Sequence, residues 1–363
     1  MSIKLLTYQE HARQRPIPAG FSLEQETYTK YFAKKHRGKI IQNPCYQIQV
    51  TLDGKNHQID SSYFIGLDWL DPNISAIAIQ PKLDSDNQKI DLFQMLEQAL
   101  QSPIAHTQVD QLLHIDWDAP AIPVAQSSDF LSPFLAVSYL NLLKVIVRKG
   151  LLKKHQKVQK NLHAKVKGKI LVSQSIRKNL MYQKASYTYC DYPEQGLDSP
   201  ENGLLKKALV IVVQSLVNRI EKNDQAKLSN TLSYLSTAFK KVSARDLPKD
   251  FKPVLNNHFY PEYGMALKMA QMILNYSNVA FHPDSQGKLQ LPPYWIDMSK
   301  LFELFVLSLL KDRFQEQIQY QIRYRGNELD YLLKTPDYKM VIDAKYKPIY
   351  QTGKVKEDMR QLS

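Results

Sequence analysis

Cysteine is almost missing from this 363-residue chain: Cys45 and Cys190 are the two present. That is too few for a disulfide framework or a four-thiolate zinc site, so a reduced, intracellular setting is expected. The opening residues, MSIKLLTYQEHARQRP, lack the apolar run of a secretory leader. The richest apolar stretch, Phe130 to Val147, is broken by Ser132, Pro133, Ser138, Asn141 and Lys144, and reads as a buried helix rather than a membrane span. No internal repeat or low-complexity tract is visible. His106, His114, His155, His163, His258 and His282 show no paired metal-ligand spacing and read as structural or surface residues. A cytoplasmic protein of about two to three domains, with no membrane partner, is the expectation.

Acidic residues are also missing from one long stretch. The net charge of +13 comes from 48 Lys+Arg against 35 Asp+Glu. Between Phe130 and Cys190 there is no acid, but there are 13 basic residues: Lys144, Arg148, Lys149, Lys153, Lys154, Lys157, Lys160, Lys165, Lys167, Lys169, Arg177, Lys178 and Lys184. Subtracting 13 from 48 leaves 35 basic residues against 35 acids, so this block carries the whole excess. A field that concentrated attracts polyanions through counterion release. Lys144, Arg148, Lys149, Lys153, Lys154, Lys165, Lys167 and Lys169 are the candidate DNA contacts, against the plainer reading of a solvated basic face. Of the tyrosines that follow (Tyr182, Tyr187, Tyr189, Tyr192), stacking on bases is one reading and loop packing the other. Met265, Met269 and Met272 read as core, and Trp69 as either core or a partner's anchor.

The organisation expected is α+β and multidomain. Residues 1–110 form a β-rich domain, because CYQIQVTL, HQIDSSYFIGLDWL and SAIAIQPKL alternate between turn signals at Asp53-Gly54 and Asp71-Pro72-Asn73, and a helix follows near Leu92 to Leu100. Residues 111–290 are mostly helical, with helical periods at 201–222, 227–241 and 262–276 and one short strand-like piece, KVKGKILVSQ. Pro283 to Pro293 reads as a linker. Residues 291–363 read as an α/β module: a helix from Ser299 to Phe314, then QIQYQIRYR, NELDYLLK and KMVIDAKYK.

The last two of those runs flank Thr335-Pro336-Asp337-Tyr338, which has proline and aspartate where a β-turn takes them. For a hairpin symmetric about Pro336 and Asp337, paired positions sum to 673, which sets Asp330 opposite Asp343. Opposed residues share a face with Cβ atoms roughly 5 Å apart, and Lys345, two residues on, shares it too. Two carboxylates that close repel unless a cation lies between them. Hard oxygen donors in small number suit magnesium, and a lysine beside the metal can orient water and stabilise charge on a phosphate. The geometry points to metal-assisted phosphodiester hydrolysis. Asp343 with Lys345 could equally be a surface ion pair on an edge strand. Against that, Val341, Ile342 and Ala344 are apolar, so the strand is expected to be largely buried. Glu303 falls in phase with Leu307, Leu310 and Phe314 on an apolar stripe, and an inward acid needs a metal or a partner such as Lys300 or Lys311. Glu328 shares the Asp330 face as a spare ligand candidate.

An acid, about a dozen residues, then Asp343-Ala344-Lys345-Tyr346-Lys347 resembles the PD-(D/E)XK nucleases, and DAKYK is similar to the McrC family of modification-dependent restriction systems. Leu301-Phe302-Glu303-Leu304-Phe305-Val306 looks like that family's helix before the catalytic hairpin. Tyr263-Gly264-Met265-Ala266-Leu267, Asn202-Gly203-Leu204-Leu205-Lys206, KVKGKI, and GLDWL…AIAIQPKL followed by Phe93-Gln94-Met95-Leu96 fall in the family's order. The resemblance implies a magnesium-dependent DNA endonuclease with Asp330, Asp343 and Lys345 as catalytic acid, acid and lysine, and Glu303 as accessory; Asp330 and Asp343 would be the metal ligands. It also implies a partner, a hexameric McrB-like AAA+ GTPase that selects methylated double-stranded DNA and contacts the N-terminal domain. No G-x-x-x-x-G-K occurs in this chain, in keeping with GTP hydrolysis on another subunit. No proline precedes the first acid here. The chain ends at Gln361-Leu362-Ser363 where the family continues with a Q-x-x-x-Y helix and a strand, so a nuclease module cut short at its C-terminus is expected. Two other functions stay open: a non-catalytic adaptor whose residues 1–110 stimulate a ring GTPase or ATPase, and a plain basic DNA-binding protein.

Overall fold

A computed structural model of the chain describes residues 3–25, 27–36, 39–52, 56–81, 92–100, 104, 108–125, 129–217, 222–246, 261–280, 289–324 and 327–346. Its centre is a five-stranded sheet in the order Lys4–Gln9, Ser75–Gln80, Phe64–Asp71, Tyr294–Asp297, Leu113–Ile115. The first pair is parallel and the rest antiparallel. Alternation explains why Phe64–Asp71 is buried almost end to end, since successive side chains leave opposite faces of a strand. Ile65, Leu67 and Trp69 face a large core shared with the helices. Phe64, Leu70, Ile77 and Ile79 face a second core. That second core is closed by Phe32, Tyr46, Ile48 and Ile59 of a four-stranded sheet ordered Arg15–Pro16, His57–Ser61, Lys39–Val50, Tyr28–His36.

The strands expected before residue 81 are present, and so is the turn at Asp71, where Ile74 N–H donates to Asp71 O at 3.0 Å and Asn73 takes φ +63°. The expected turn at Asp53-Gly54 lies outside the described residues, as do positions 281–288 of the expected linker. The far end of that linker is not a spacer, since Leu289–Leu291 pairs with Ile122–Val124, and the chain just beyond it is also paired. Tyr294–Asp297 is an interior strand between Phe64–Asp71 and Leu113–Ile115, so the stretches on either side of position 290 share one sheet. Gly66 makes this possible: a Cβ there would lie 2.0 Å from the Tyr294 carbonyl oxygen. One contiguous core then runs from Ile65 to Leu333.

Leu131–Lys149 is long and apolar enough to cross a membrane by composition alone, yet Phe134, Leu135, Val137 and Tyr139 along it are all buried in this core. Helices Pro200–Ile211, Lys222–Ala238 and Pro261–Ala280 pack around it. Met269 is buried, with Met265 and Met272 packed beside it, and Trp69 is a core residue whose indole N–H donates to Pro120 O at 2.9 Å. The middle region is less helical than expected. Lys154–His163, Tyr187–Gly196 and Lys169–Ile170 form a three-stranded sheet, followed on the chain by helix Val172–Lys178 after its short strand. The KVKGKI segment reaches this sheet through Gly168, at φ +68°, where a Cβ would meet the Asp191 carbonyl at 2.5 Å.

Candidate active site

Asp297 ends the interior strand and caps the next helix, Met298–Phe314, its carboxylate accepting from Lys300 N–H at 2.9 Å. The helix lies against a three-stranded antiparallel sheet, ordered Ile318–Tyr324, Asn327–Lys334, Lys339–Ile342. In the second hairpin Tyr331 pairs with Ile342, Leu332 with Val341, Leu333 with Met340 and Lys334 with Lys339. Each pair sums to 673, the register expected from the sequence. The turn is held by Thr335 N–H to Tyr338 O (3.0 Å) and Tyr338 N–H to Thr335 Oγ1 (3.1 Å).

Asp330 and Asp343 therefore come next in the ladder, where regular pairing stops. Asp330 instead accepts the Ala344 N–H through Oδ2 at 2.8 Å. Burial pushes the Asp330 carboxyl up to about 6; the Glu303 and Asp343 carboxylates push the same way and the Ala344 N–H opposes them. Lys345 Nζ lies 3.6 Å from Asp343 Oδ2. Asp330, Asp343, Lys345 and Glu303 are thus brought to one end of one sheet. Glu303 has a cation of its own: Lys300 Nζ stands 3.1 Å from both its oxygens and donates to the Tyr320 hydroxyl at 2.7 Å. The Tyr331 hydroxyl donates to the Glu303 backbone carbonyl at 2.6 Å, tying helix to hairpin. Lys300 entered the sequence reading only as a possible partner for Glu303, and Tyr320 and Tyr331 did not enter it; their one signal is position on strands that alternate. The Glu328 side chain lies outside the described residues.

One expectation fails here. Met340 and Val341 are 44% and 52% exposed, because Lys339–Ile342 is the outer strand of the described sheet and nothing described covers its far side. Burial therefore bears on Asp330, on the inner strand, more than on Asp343. Among the described residues no three His, Cys, Asp or Glu side chains form a metal cluster. Two carboxylates this near each other suit a cation that keeps several of its own waters, as magnesium does, and positive charge there would oppose both the burial and the neighbouring carboxylates that raise Asp330.

The basic block lies on other elements. Lys144, Arg148 and Lys149 are at the end of the core helix, Lys153 and Lys154 follow it, and Lys165, Lys167 and Lys169 cross the exposed edge of the three-stranded sheet. Acids beyond the acid-free window, from Asp191 to Glu262, neutralise part of it. Lys149 pairs with Glu262, Lys154 with Glu201, Lys157 with Asp191 at 3.3 Å, and Lys160 with Glu194 at 3.0 Å, while Lys167 reaches Glu194 at 4.0 Å. The tyrosines split: Tyr182 is 71% exposed, whereas Tyr192 is buried with Lys167 over its ring.

The family model described as the McrBC 5-methylcytosine restriction system component matches residues 70–363. The chain belongs to that McrBC family. The match takes in both the carboxylate hairpin and the basic block, and it agrees with the likeness to McrC carried by DAKYK. No curated protein matches the chain. Two solved structures from Thermococcus gammatolerans are similar at a distance. One is a half-complex from a tetradecameric assembly of McrB AAA+ hexamers with bound McrC, 18% identical, covering 87% of this chain and 69% of that one at a TM-score of 0.37. The other is a cryo-EM structure of the McrBC complex, 16% identical, covering 87% and 90% at a TM-score of 0.35. So slight a likeness adds no weight to the family match.

Proposed function

We propose that this McrBC family member is the McrC-like subunit of a modification-dependent restriction system: a magnesium-dependent PD-(D/E)XK endonuclease that cleaves methylated double-stranded DNA in the cytoplasm, driven by a McrB-like AAA+ GTPase hexamer. The observation that carries the reading is Asp330, raised to about 6 with the carboxylates of Asp343 and Glu303 near it, and Lys345 next to Asp343. Asp330 and Asp343 would hold the magnesium ion, which when bound neutralises the pair and makes a coordinated water more acidic. Lys345 would orient water and offer its side-chain N–H groups to a phosphate oxygen. Glu303, clamped by Lys300, adds negative charge behind Asp330 as an accessory. The part of the basic block with no ion pair among the described residues, Lys144, Arg148, Lys153, Lys165 and Lys169, would hold the DNA backbone, with Lys149, Lys154 and Lys167 sharing their charge with acids. The partner is inferred from the family and supplies the GTP hydrolysis for which this chain has no phosphate-binding loop.

Cleavage of 5-methylcytosine-containing plasmid by the chain with its cognate GTPase, GTP and magnesium tests this. Cutting is expected to vanish in Asp343→Ala and Lys345→Ala; cutting unchanged in both would overturn the assignment. A second reading, the non-catalytic adaptor, is favoured by one surface. Helix Val172–Lys178 has no buried residue, and Val172, Leu180 and Met181 nearby are 62%, 67% and 73% exposed, an apolar face that a protein partner would cover. The adaptor predicts that the wild-type chain stimulates GTP turnover but cuts no DNA.

A further inference from the structure

Regular pairing of the outer strand ends at Ile342, one residue before the reactive side chains begin. Asp343 and Lys345 therefore stand on an exit segment that no ladder holds in place. Among the contacts that the described residues of this segment make, two bear on its position. One is the Ala344 N–H to Asp330. The other is Tyr346, whose hydroxyl donates to Glu10, 336 positions away in sequence, while its ring packs against Phe302 (5.6 Å between centroids) and His11 (6.3 Å). Glu10 is 1% exposed and follows the first strand of the five-stranded sheet, where its own N–H donates to Gln80 O at 2.9 Å. The anchor is thus a buried carboxylate whose backbone is bonded to the neighbouring strand.

We propose that Tyr346 is a positioning residue, fastening the segment 343–346 to the N-terminal sheet through Glu10 so that Asp343 and Lys345 are held toward Asp330. In an extended segment alternate side chains leave opposite faces, so Tyr346 and Ala344 point away from Asp343 and Lys345. Tyr346 acts through its neighbours and does not touch the reacting atoms. The proposal rests on the nuclease reading, and deepens it by naming what orients the site.

Three readouts test it in the full chain: cleavage of 5-methylcytosine plasmid with the cognate GTPase, binding of Mn²⁺ alone followed by electron paramagnetic resonance, and hydrogen exchange of the 339–346 segment. Tyr346→Phe keeps the ring and loses the bond. It is expected to lower kcat and Mn²⁺ affinity roughly tenfold each, the scale for a residue that orients metal ligands, with KM for DNA unchanged and exchange at 343–346 faster. Glu10→Ala should behave alike, and Glu10→Gln, which keeps an acceptor, should recover most of the loss. A purely structural tyrosine would lower the melting temperature and the active fraction without moving Mn²⁺ affinity. Wild-type values for Tyr346→Phe in kcat, Mn²⁺ binding and exchange, while Asp343→Ala is inactive, overturn the fastening and leave the nuclease reading standing. Absence of both cutting and Mn²⁺ binding in the wild type sinks the nuclease reading and the positioning role with it. Unchanged exchange in Tyr346→Phe removes the fastening whether or not DNA is cut.

Discussion

The C-terminal sheet and the basic sheet over 154–196 are both three-stranded and antiparallel, and both concentrate charge of one sign, but they handle it in opposite ways. Around the C-terminal sheet three carboxylates come near one another, Asp330 on the partly buried inner strand, Glu303 on the helix behind it and Asp343 just past the outer strand, answered by a clamped Lys300 and by Lys345. The basic sheet spreads its lysines over solvent and pairs several with acids drawn from its own middle strand, Asp191 and Glu194. Charge held together under burial is poised for a ligand; charge spread in water is screened and acts at longer range. The two surfaces should therefore respond differently to the same kind of substitution.

The largest effect is expected at the carboxylates. Asp343→Ala or Asp330→Asn should lower cleavage by at least ~100-fold, since each removes a group the cation needs, and thermal unfolding with and without magnesium should show that the wild type alone is stabilised by the ion. Asp330→Asn should not lower metal-free stability, because it removes a carboxylate whose charged form the fold disfavours; a sharp loss of stability there would make the cluster structural. Next comes Lys300→Met, which leaves Glu303 without its cation. A loss of about 3 kcal/mol by denaturant unfolding is expected, largely recovered by the double change Lys300→Met with Glu303→Leu. Within the basic sheet, Lys154→Ala should cost about 2 kcal/mol, since Glu201 is 3% exposed and loses that cation, with little change in DNA binding. Replacing Lys165 and Lys169 by alanine should do the reverse: no change in unfolding, and a salt dependence of DNA binding shallower by about one per lost phosphate contact. The smallest effect is expected at Lys160→Ala, a solvated pair with Glu194 whose loss should leave the melting temperature where it is.

What could be seen in the sequence was what local chemistry decides. The Pro336-Asp337 turn and two alternating runs fix the hairpin register without help from the rest of the chain, which is why Asp330 and Asp343 could be set opposite each other. The N-terminal strands and the helices Pro200–Ile211 and Pro261–Ala280 were visible for the same reason. What could not be seen depends on partners far along the chain. Lys149 meets Glu262 and Lys154 meets Glu201 across 113 and 47 positions, so the basic block looked more isolated than it is. Val341 looked interior because it is apolar, but it is 52% exposed on an outer strand, where apolarity does not ensure cover, while Ile342 beside it does pack against the core. Lys300 could be named from the sequence as a possible partner for Glu303, but its bond to the Tyr320 hydroxyl depends on a strand 20 positions on.

An interior strand donated by residues 294–297 also bears on how the chain comes into being. On the ribosome, Phe64–Asp71 and Leu113–Ile115 emerge long before the strand that fits between them, so the central sheet cannot close until Tyr294–Asp297 has been made. A fragment ending ahead of that strand leaves Gly66 facing an empty slot. Dissection of this protein by shortening from the C-terminus is thus expected to give aggregates in place of a working N-terminal half, and separate roles are better assigned by point substitution in the intact chain.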